Sequence, residues 1–179
     1  MTTLTPLQVA ALWVAHGGTN ASAGVAVAIA TAESGRRTQA ISPDGGYGLF
    51  QIQASVWVGP FPVTRQDLLD PNTNTEIAVH IATRGSNFAA WCTMWANPVR
   101  DCGHGHITVP QRGSAAARYM GLIQGIVPPT PQQLHPGASG VDAATENTWN
   151  QIRDWFGGGA TQRWRKIDNA THTVRTRRW

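Results

Sequence analysis

The sequence predicts a mainly helical domain with one small β-hairpin or extended loop. Two stretches before residue 35 have the apolar content and the end signals of helices, and a third helix is expected after the Asp-Pro pair at residue 70. Between them, a turn-rich segment leads into a short apolar run. Hydrophobic residues make up 41% of the 179 residues, which suffices for one packed core.

The first two helices are bounded by residues that favour helix ends. Thr5 is the expected N-cap of the first helix, Pro6 its first residue, and Gly17 its end. The second helix is predicted over residues 21–34, with Gly35 as terminator. Because its residues are apolar nearly all round, we expect this helix to be buried at the centre of the domain.

The next elements are predicted from turn and cap signals. Residues 43–46 have strong turn chemistry, and residues 47–52 fit a short strand or extended loop. Asp70 is the expected N-cap of the third helix and Pro71 its first residue. A further helix is predicted from about residue 110 to residue 126.

Composition predicts three regions along the chain. Residues 1–126 form the domain, residues 127–140 are rich in Pro and Gly and predict a linker, and residues 141–179 predict a helix followed by an Arg-rich tail. Residues 160–179 hold six Arg or Lys against one Asp, so the net charge of +4 belongs to the tail. We find no targeting segment and no membrane span.

The two cysteines, Cys92 and Cys102, leave three alternatives open. A disulfide would close the intervening residues and contribute about 2–3 kcal/mol of stability. A zinc site with His104 and His106 is the second alternative, although the spacing matches no common zinc template. Free thiols are the third. The function predicted below needs neither a metal nor another cofactor.

Glu33 is the candidate catalytic residue. A general acid needs a pKa near the working pH, whereas the pKa of a free Glu is about 4.3. Burial against the apolar helix and the negative end of the helix dipole would both raise the pKa of Glu33. Arg36 and Arg37 would lower it if they folded back. The alternative is an exposed Glu at a helix end.

Three short motifs surround this residue. They are Glu33-Ser34, Ser42-Pro43-Asp44-Gly45 and Gly48-Leu49-Phe50-Gln51-Ile52. Together they resemble the lysozyme-like superfamily, most closely the lytic transglycosylases and goose-type lysozymes of phage wall-degrading proteins. Weaker resemblance continues through residues 70–74 and 85–91, the latter similar to phage-borne members, so that residues 21–95 are covered.

The resemblance implies a lysozyme-like fold for the domain, with the hairpin or loop beside the catalytic helix and Glu33 acting first as general acid and then as base. It also implies substrate-binding residues, of which Gln51 could instead face solvent, Trp91 could lie in the core and Asn74 could serve a helix terminus. The implied substrate-binding residues are Ser34, Tyr47, Gln51, Asn74 and Trp91.

The chain departs from the family pattern at two places. Animal lysozymes carry an Asp where this chain has Gly46; Asp44, on the turn, is the possible second carboxylate. The Tyr-Asn-Ala-Gly motif of transglycosylases is missing, and residues 91–95 occupy roughly its place. One essential carboxylate suits a transglycosylase, whereas hydrolysis would need water, with Asp44 or Asp67 as base.

These observations predict a peptidoglycan-degrading glycosidase that cleaves the MurNAc-GlcNAc β-1,4 bond, as a lytic transglycosylase or a muramidase. The expected partner is the glycan strand. A phage origin is expected, with the protein located in the virion tail or released to the host cell wall as an endolysin. The C-terminal tail would bind a phage tail protein or an acidic wall polymer.

Two other classes of function compete with this prediction. A catalytically silent, structural or docking component of a phage tail would keep the same fold. The Arg-rich tail, interleaved with Trp164 and Trp179, could bind nucleic acid through phosphates and base stacking. Because no nucleic-acid-binding motif accompanies the tail, we do not favour nucleic acid as a partner.

Overall fold

The computed structural model of this protein describes residues 2–122. This part of the chain is mainly helical, with five α-helices and one two-stranded antiparallel sheet, as the sequence predicts. The predicted linker over residues 127–140 and the predicted helix and tail over residues 141–179 lie outside the described residues. In chain order the elements are α1 (Pro6–Ala15), α2 (Asn20–Ser34), β1 (Gly46–Tyr47), β2 (Ile52–Gln53), α3 (Ala54–Trp57), α4 (Pro71–Ile81) and α5 (Pro98–Asp101).

The ends of α1 and α2 follow the predicted signals. The Thr5 hydroxyl accepts a hydrogen bond from the backbone N–H of Gln8, whose side chain accepts one from the N–H of Thr5, so two otherwise unpaired donors are satisfied reciprocally. Thr19 is the N-cap of α2 and has an extended backbone conformation, as Thr5 does. Gly35 ends α2 with a left-handed φ of 62°, a conformation that glycine adopts without steric cost.

The core forms around α2, as its all-round apolar character predicts. Residues 25–30 of this helix are all buried, and α1 packs along it. Trp13 on α1 is fully buried, and its ring lies 5.9 Å from that of Phe50 and 5.6 Å from that of Phe88. Its indole N–H donates to the Ser22 hydroxyl over 2.9 Å, so this large side chain is buried without an unpaired polar atom. One helix-centred core therefore supports the loops that follow α2.

The segment after α2 is a hairpin, and not a strand along residues 47–52. Gly46 pairs with Gln53 and Tyr47 with Ile52, while residues 48–51 form the turn between them. Gly48 has a φ of 72°, and a Cβ at this position would lie 2.3 Å from the carbonyl oxygen of Leu68. The turn therefore needs a glycine both for its conformation and for its close contact with the chain before α4.

The helix predicted from residue 110 to residue 126 is wrong in its described part. Up to residue 122 this segment contains only a 3₁₀ turn, Ala116–Tyr119. Gly113 has a φ of 90°, which lies outside the helical region and interrupts the backbone before a helix can propagate. Ala116 is nevertheless buried, and Tyr119 packs on the core.

Cys92 and Cys102 form a disulfide, which confirms that alternative over a zinc site built on their thiolates and over free thiols. The bond closes a loop that contains α5. In the chain-entropy account such a loop contributes about 3 kcal/mol of stability.

Within residues 2–122, no three His, Cys, Asp or Glu side chains are arranged to hold a metal ion. None of the helices in this range has the length and apolar character needed to cross a bilayer.

His16 connects the end of α1 to the start of α4. Its Nε2 lies 3.2 Å from the Oδ1 of Asn72. Burial lowers the pKa of His16 to about 4 from an ordinary value of 6.5, although the hydrogen bond with Asn72 and the charge of Asp70 both act to raise it. His16 is therefore neutral in the folded protein under conditions where it carries a charge in the unfolded chain.

This difference predicts a loss of stability in mild acid. As the pH falls from 7 to 4.5, His16 takes up a proton in the unfolded chain but largely not in the folded protein, which costs the folded state about 2–3 kcal/mol. His16→Gln cannot be protonated and should lose correspondingly less over the same range. Urea unfolding of both proteins at the two pH values measures the difference. Equal losses would show that His16 does not carry this pH dependence.

Candidate active site

Glu33 lies in the last turn of α2, partly buried. The hydroxyl of Thr93, from the 3₁₀ turn Cys92–Met94, donates a hydrogen bond to the Glu33 Oε1 over 2.8 Å. Burial raises the pKa of Glu33, the hydrogen bond from Thr93 lowers it, and the nearby charge of Asp44 raises it. Burial has the largest effect of the three, so the environment as a whole favours the neutral carboxylic acid.

The two arginines that follow α2 are engaged with other acceptors. The guanidinium of Arg36 donates to the carbonyl oxygen of Leu4 and to the hydroxyl of Thr31. That of Arg37 donates to the carbonyl oxygen of Ser34. The condition under which they would lower the pKa of Glu33, folding back onto its carboxyl group, is therefore not met, because their guanidinium groups are bound to Leu4, Thr31 and Ser34.

Ser34 ties the hairpin to α2 and is a correction to the predicted site. Its side chain is only 2% exposed, and its hydroxyl donates to the carbonyl oxygen of Leu49 over 2.7 Å. A side chain so completely buried does not contact a glycan. Ser34 instead fixes the distance between the end of α2 and the turn of the hairpin.

Asn74 holds the same turn from the other side. It is fully buried in α4, its Oδ1 accepts from the Phe50 N–H over 2.8 Å, and its Nδ2 donates to the carbonyl oxygens of Tyr47 and Leu68, both over 2.8 Å. Two of these partners, Tyr47 and Phe50, are backbone groups of the hairpin, and the third, Leu68, precedes α4. Asn74 therefore satisfies the backbone of the turn, and its full burial argues against the predicted substrate contact.

Trp91 lies in the core and not on a cleft wall. It is 6% exposed, and its indole N–H donates to the carbonyl oxygen of Phe50 over 3.0 Å. With Ser34 on Leu49 and Asn74 on Phe50, this gives the turn three buried attachments from three different parts of the chain. These residues define where the hairpin lies relative to Glu33.

Tyr47 and Gln51 are the two predicted binding residues that are partly exposed. Gln51 has a φ of 51°, an uncommon conformation for a residue other than glycine. Its amide nitrogen donates to the carbonyl oxygens of Gly48 and, at 3.3 Å, Ala40. Tyr47 and Gln51 both belong to the hairpin that Ser34 attaches to the end of α2, and both remain candidates for substrate contact.

Asp44, the possible second carboxylate, is exposed on the turn before β1. The pKa of Asp44 is lowered, first by a hydrogen bond from Ser42, and further by its own backbone N–H and by Gln53, whose amide lies 3.3 Å from the carboxylate. Asp44 is therefore ionised at neutral pH. It differs from Glu33 in being solvated and stabilised as an anion, while its charge still acts on Glu33.

Thr93 is the site residue that sequence reasoning missed. The available signal was its position within residues 91–95, which stand roughly where transglycosylases have their Tyr-Asn-Ala-Gly motif.

A separate cavity of about 390 Å³ opens elsewhere, between the N-terminal segment and the residues before α4, lined in part by Thr38, Gln66 and Asp70. Its lining does not include Glu33, so this cavity is distinct from the candidate site.

Part of the chain is similar to a known protein family. Residues 10–93 match a family model described as a lysozyme-like domain, a range that contains the second half of α1 and all of α2, the hairpin, α4 and Thr93. No curated protein and no solved structure matches the chain. The matched range includes both Glu33 and the residue that hydrogen-bonds to it. Residues 10–93 are therefore identified as a lysozyme-like domain.

Proposed function

We propose that this protein cleaves the β-1,4 bond between N-acetylmuramic acid and N-acetylglucosamine in peptidoglycan. The observation that carries the proposal is the environment of Glu33, a partly buried carboxyl group at the end of the central helix of a lysozyme-like domain. Burial raises the pKa of Glu33, which favours the protonated form. A carboxylic acid that keeps its proton closer to neutral pH can donate it to a glycosidic oxygen.

In the proposed reaction Glu33 acts twice. It donates its proton to the leaving glycosidic oxygen as the bond to the muramyl carbon breaks, and it then accepts a proton from the attacking hydroxyl. In a transglycosylase the N-acetyl group of the substrate assists departure, and the C6 hydroxyl of the muramyl sugar closes an anhydro ring. In a muramidase a water molecule is the acceptor. In the transglycosylase route, the proton of the C6 hydroxyl returns Glu33 to its protonated form.

The contrast between Glu33 and Asp44 favours the transglycosylase route. Asp44 is exposed, is stabilised as an anion by hydrogen bonds, and belongs to a turn. Glu33 is the partly buried carboxyl, and a single shielded carboxyl suffices when the substrate supplies its own nucleophile. In the muramidase alternative Asp44 would act as the base, or would stabilise positive charge at the sugar ring.

Tyr47 and Gln51 are the proposed substrate contacts. Both are partly exposed on the hairpin whose turn Ser34 attaches to the end of α2. The left-handed φ of Gln51 supports this role, because a strained backbone at a non-glycine residue tends to occur where function requires it. The phenol of Tyr47 and the amide oxygen of Gln51, whose amide nitrogen is engaged with Gly48 and Ala40, also supply polar groups that bind sugar hydroxyls.

We further propose a phage origin, with the protein acting as a virion tail component or as an endolysin. The phage-like segment at residues 85–91 supports the origin. The basic residues 160–179 would bind either a tail protein or an acidic wall polymer.

Analysis of the muropeptide products tests the proposed reaction. We expect purified cell walls to lose turbidity with the wild-type protein, and mass spectrometry to find anhydromuramyl ends, because the substrate's own hydroxyl is the acceptor. Reducing ends would instead establish the muramidase route. No clearing at any pH between 5 and 8 would contradict an enzymatic role and would favour a silent structural component of the same fold.

A further inference from the structure

Thr93 contacts Glu33 from a part of the chain that is distant in sequence. Sixty residues separate the two side chains, and the hydroxyl of Thr93 donates to the Glu33 Oε1 over 2.8 Å. A hydroxyl that donates to a carboxylate both stabilises the anion and restricts the orientation of the carboxyl group. The contact is therefore suited to hold the carboxyl group in one orientation at the end of α2.

The segment that carries Thr93 is anchored on both sides. Trp91, two residues before, is buried and donates to the hairpin turn, and Met94, one residue after, is fully buried. The carbonyl oxygen of Met94 accepts from the N–H of Gln111 over 2.9 Å. Cys92, the immediate neighbour of Thr93, is bonded to Cys102. A backbone held at all these points presents the hydroxyl of Thr93 at a defined place.

We propose that Thr93 is a positioning residue for Glu33, held in place by the disulfide loop and directing the carboxyl group toward the scissile bond. This inference rests on the proposed function of Glu33 as the proton donor. It adds a second role, because the hydroxyl stabilises the ionised carboxyl left after the proton has been donated. Thr93 thus opposes the effect of burial and allows Glu33 both to lose and to regain its proton.

The effect of removing the hydroxyl has a definite sign. A hydrogen bond donated to the ionised form lowers the pKa of Glu33, so its loss raises that pKa further. Asp44 also acts on Glu33, Arg36 and Arg37 directly follow α2, and the 3₁₀ turn Ala116–Tyr119, which packs on α2, carries Arg118 and Tyr119. All of these groups are unchanged in a Thr93 variant, so a comparison of Thr93 variants isolates the hydroxyl.

The test compares Thr93→Val, which keeps the shape and removes the hydroxyl, with Thr93→Ser, which keeps the hydroxyl. The chain contains three Glu residues, so a ¹³C-labelled Glu side-chain carboxyl spectrum has three signals, and Glu33→Gln identifies the signal of Glu33. We expect Thr93→Val to raise the titration midpoint of Glu33 and to move the basic limb of the cleavage pH profile to higher pH. Thr93→Ser should restore both.

We also expect the maximal cleavage rate of Thr93→Val to fall on the order of tenfold, the equivalent of one charge-assisted hydrogen bond. Thr75→Val is the matched control. Thr75 is a buried threonine of α4 whose hydroxyl donates to the Pro71 carbonyl oxygen, and its loss should leave the Glu33 titration unchanged. Thermal unfolding of all variants reports any general loss of stability.

Three results would overturn the inference: an unchanged Glu33 titration in Thr93→Val, an unchanged maximal rate, or a failure of Thr93→Ser to restore both. If the wild-type protein cleaves no wall material, the proposed function fails, and with it the role of Thr93 in the reaction. The titration still decides in that case whether the hydroxyl of Thr93 holds the carboxyl group of Glu33, so the two failures are distinguishable.

Discussion

Glu33→Gln is expected to reduce cleavage of purified cell walls by about 10²–10⁴-fold, the usual contribution of a general acid. The amide has nearly the same shape as the carboxylic acid but cannot donate a proton to the glycosidic oxygen at a useful rate. The rate of turbidity loss and the yield of muropeptides measure the effect. Glu76→Gln, the same change at a partly buried residue of α4, is the matched control and should retain activity.

The stability of Glu33→Gln provides an independent check. The folded state raises the pKa of Glu33, so the stability linked to this group is complete below its unfolded pKa and is lost as the pH rises through the folded pKa. Gln stays neutral throughout. We therefore expect the variant to unfold at the same or a higher urea concentration than the wild type at pH 7. An inactive variant that is also clearly less stable would mean that activity was lost through the fold.

Asn74→Ala is expected to lower the free energy of unfolding by about 3–6 kcal/mol. The side chain makes three hydrogen bonds to buried backbone groups, and each group left unpaired costs about 1–3 kcal/mol. Cavity formation at this fully buried position adds to the loss. Equilibrium unfolding in urea measures the change. Because the hairpin turn loses its attachment to α4, activity should fall as well if the turn lines the substrate site.

Asn72→Ala is the appropriate comparison for this variant. Asn72 lies on the same helix, is partly buried and shares one hydrogen bond of 3.2 Å with His16. Its replacement should cost about 1 kcal/mol. Comparable losses in the two variants would show that the amide of Asn74 does not hold the turn in the way its contacts indicate.

The elements predicted correctly from the sequence are those whose signals are local. Thr5 and Gly35 bound the first two helices because a hydroxyl side chain and a glycine satisfy helix ends through neighbours a few residues away. Asp70 caps α4 for the same reason, with its carboxylate accepting from the Thr73 N–H over 3.0 Å. The helix predicted from residue 110 was wrong because the left-handed Gly113 interrupts it, and apolar spacing alone does not report a backbone angle.

The candidate site was predicted only in part, for a similar reason. Motif resemblance pointed to the segment that contains Glu33 and the hairpin, and residues 10–93 match the lysozyme-like family over this region. The motif resemblance did not distinguish the residues that could contact the substrate from those that hold the turn in place. Ser34, Asn74 and Trp91 are polar or amphipathic side chains near the motif, and each one is buried against backbone of the hairpin.

The sequence by itself determined the helical class, the ends of its principal helices and the identity of Glu33 as the candidate acid, because those features depend on residues close together along the chain. Only the tertiary structure decided that Cys92 pairs with Cys102 and that Thr93 meets Glu33. It also decided the direction of the pKa shift of Glu33, because burial raises that pKa more than the hydrogen bond from Thr93 lowers it. These features depend on contacts between distant segments, which form only when the chain packs around α2.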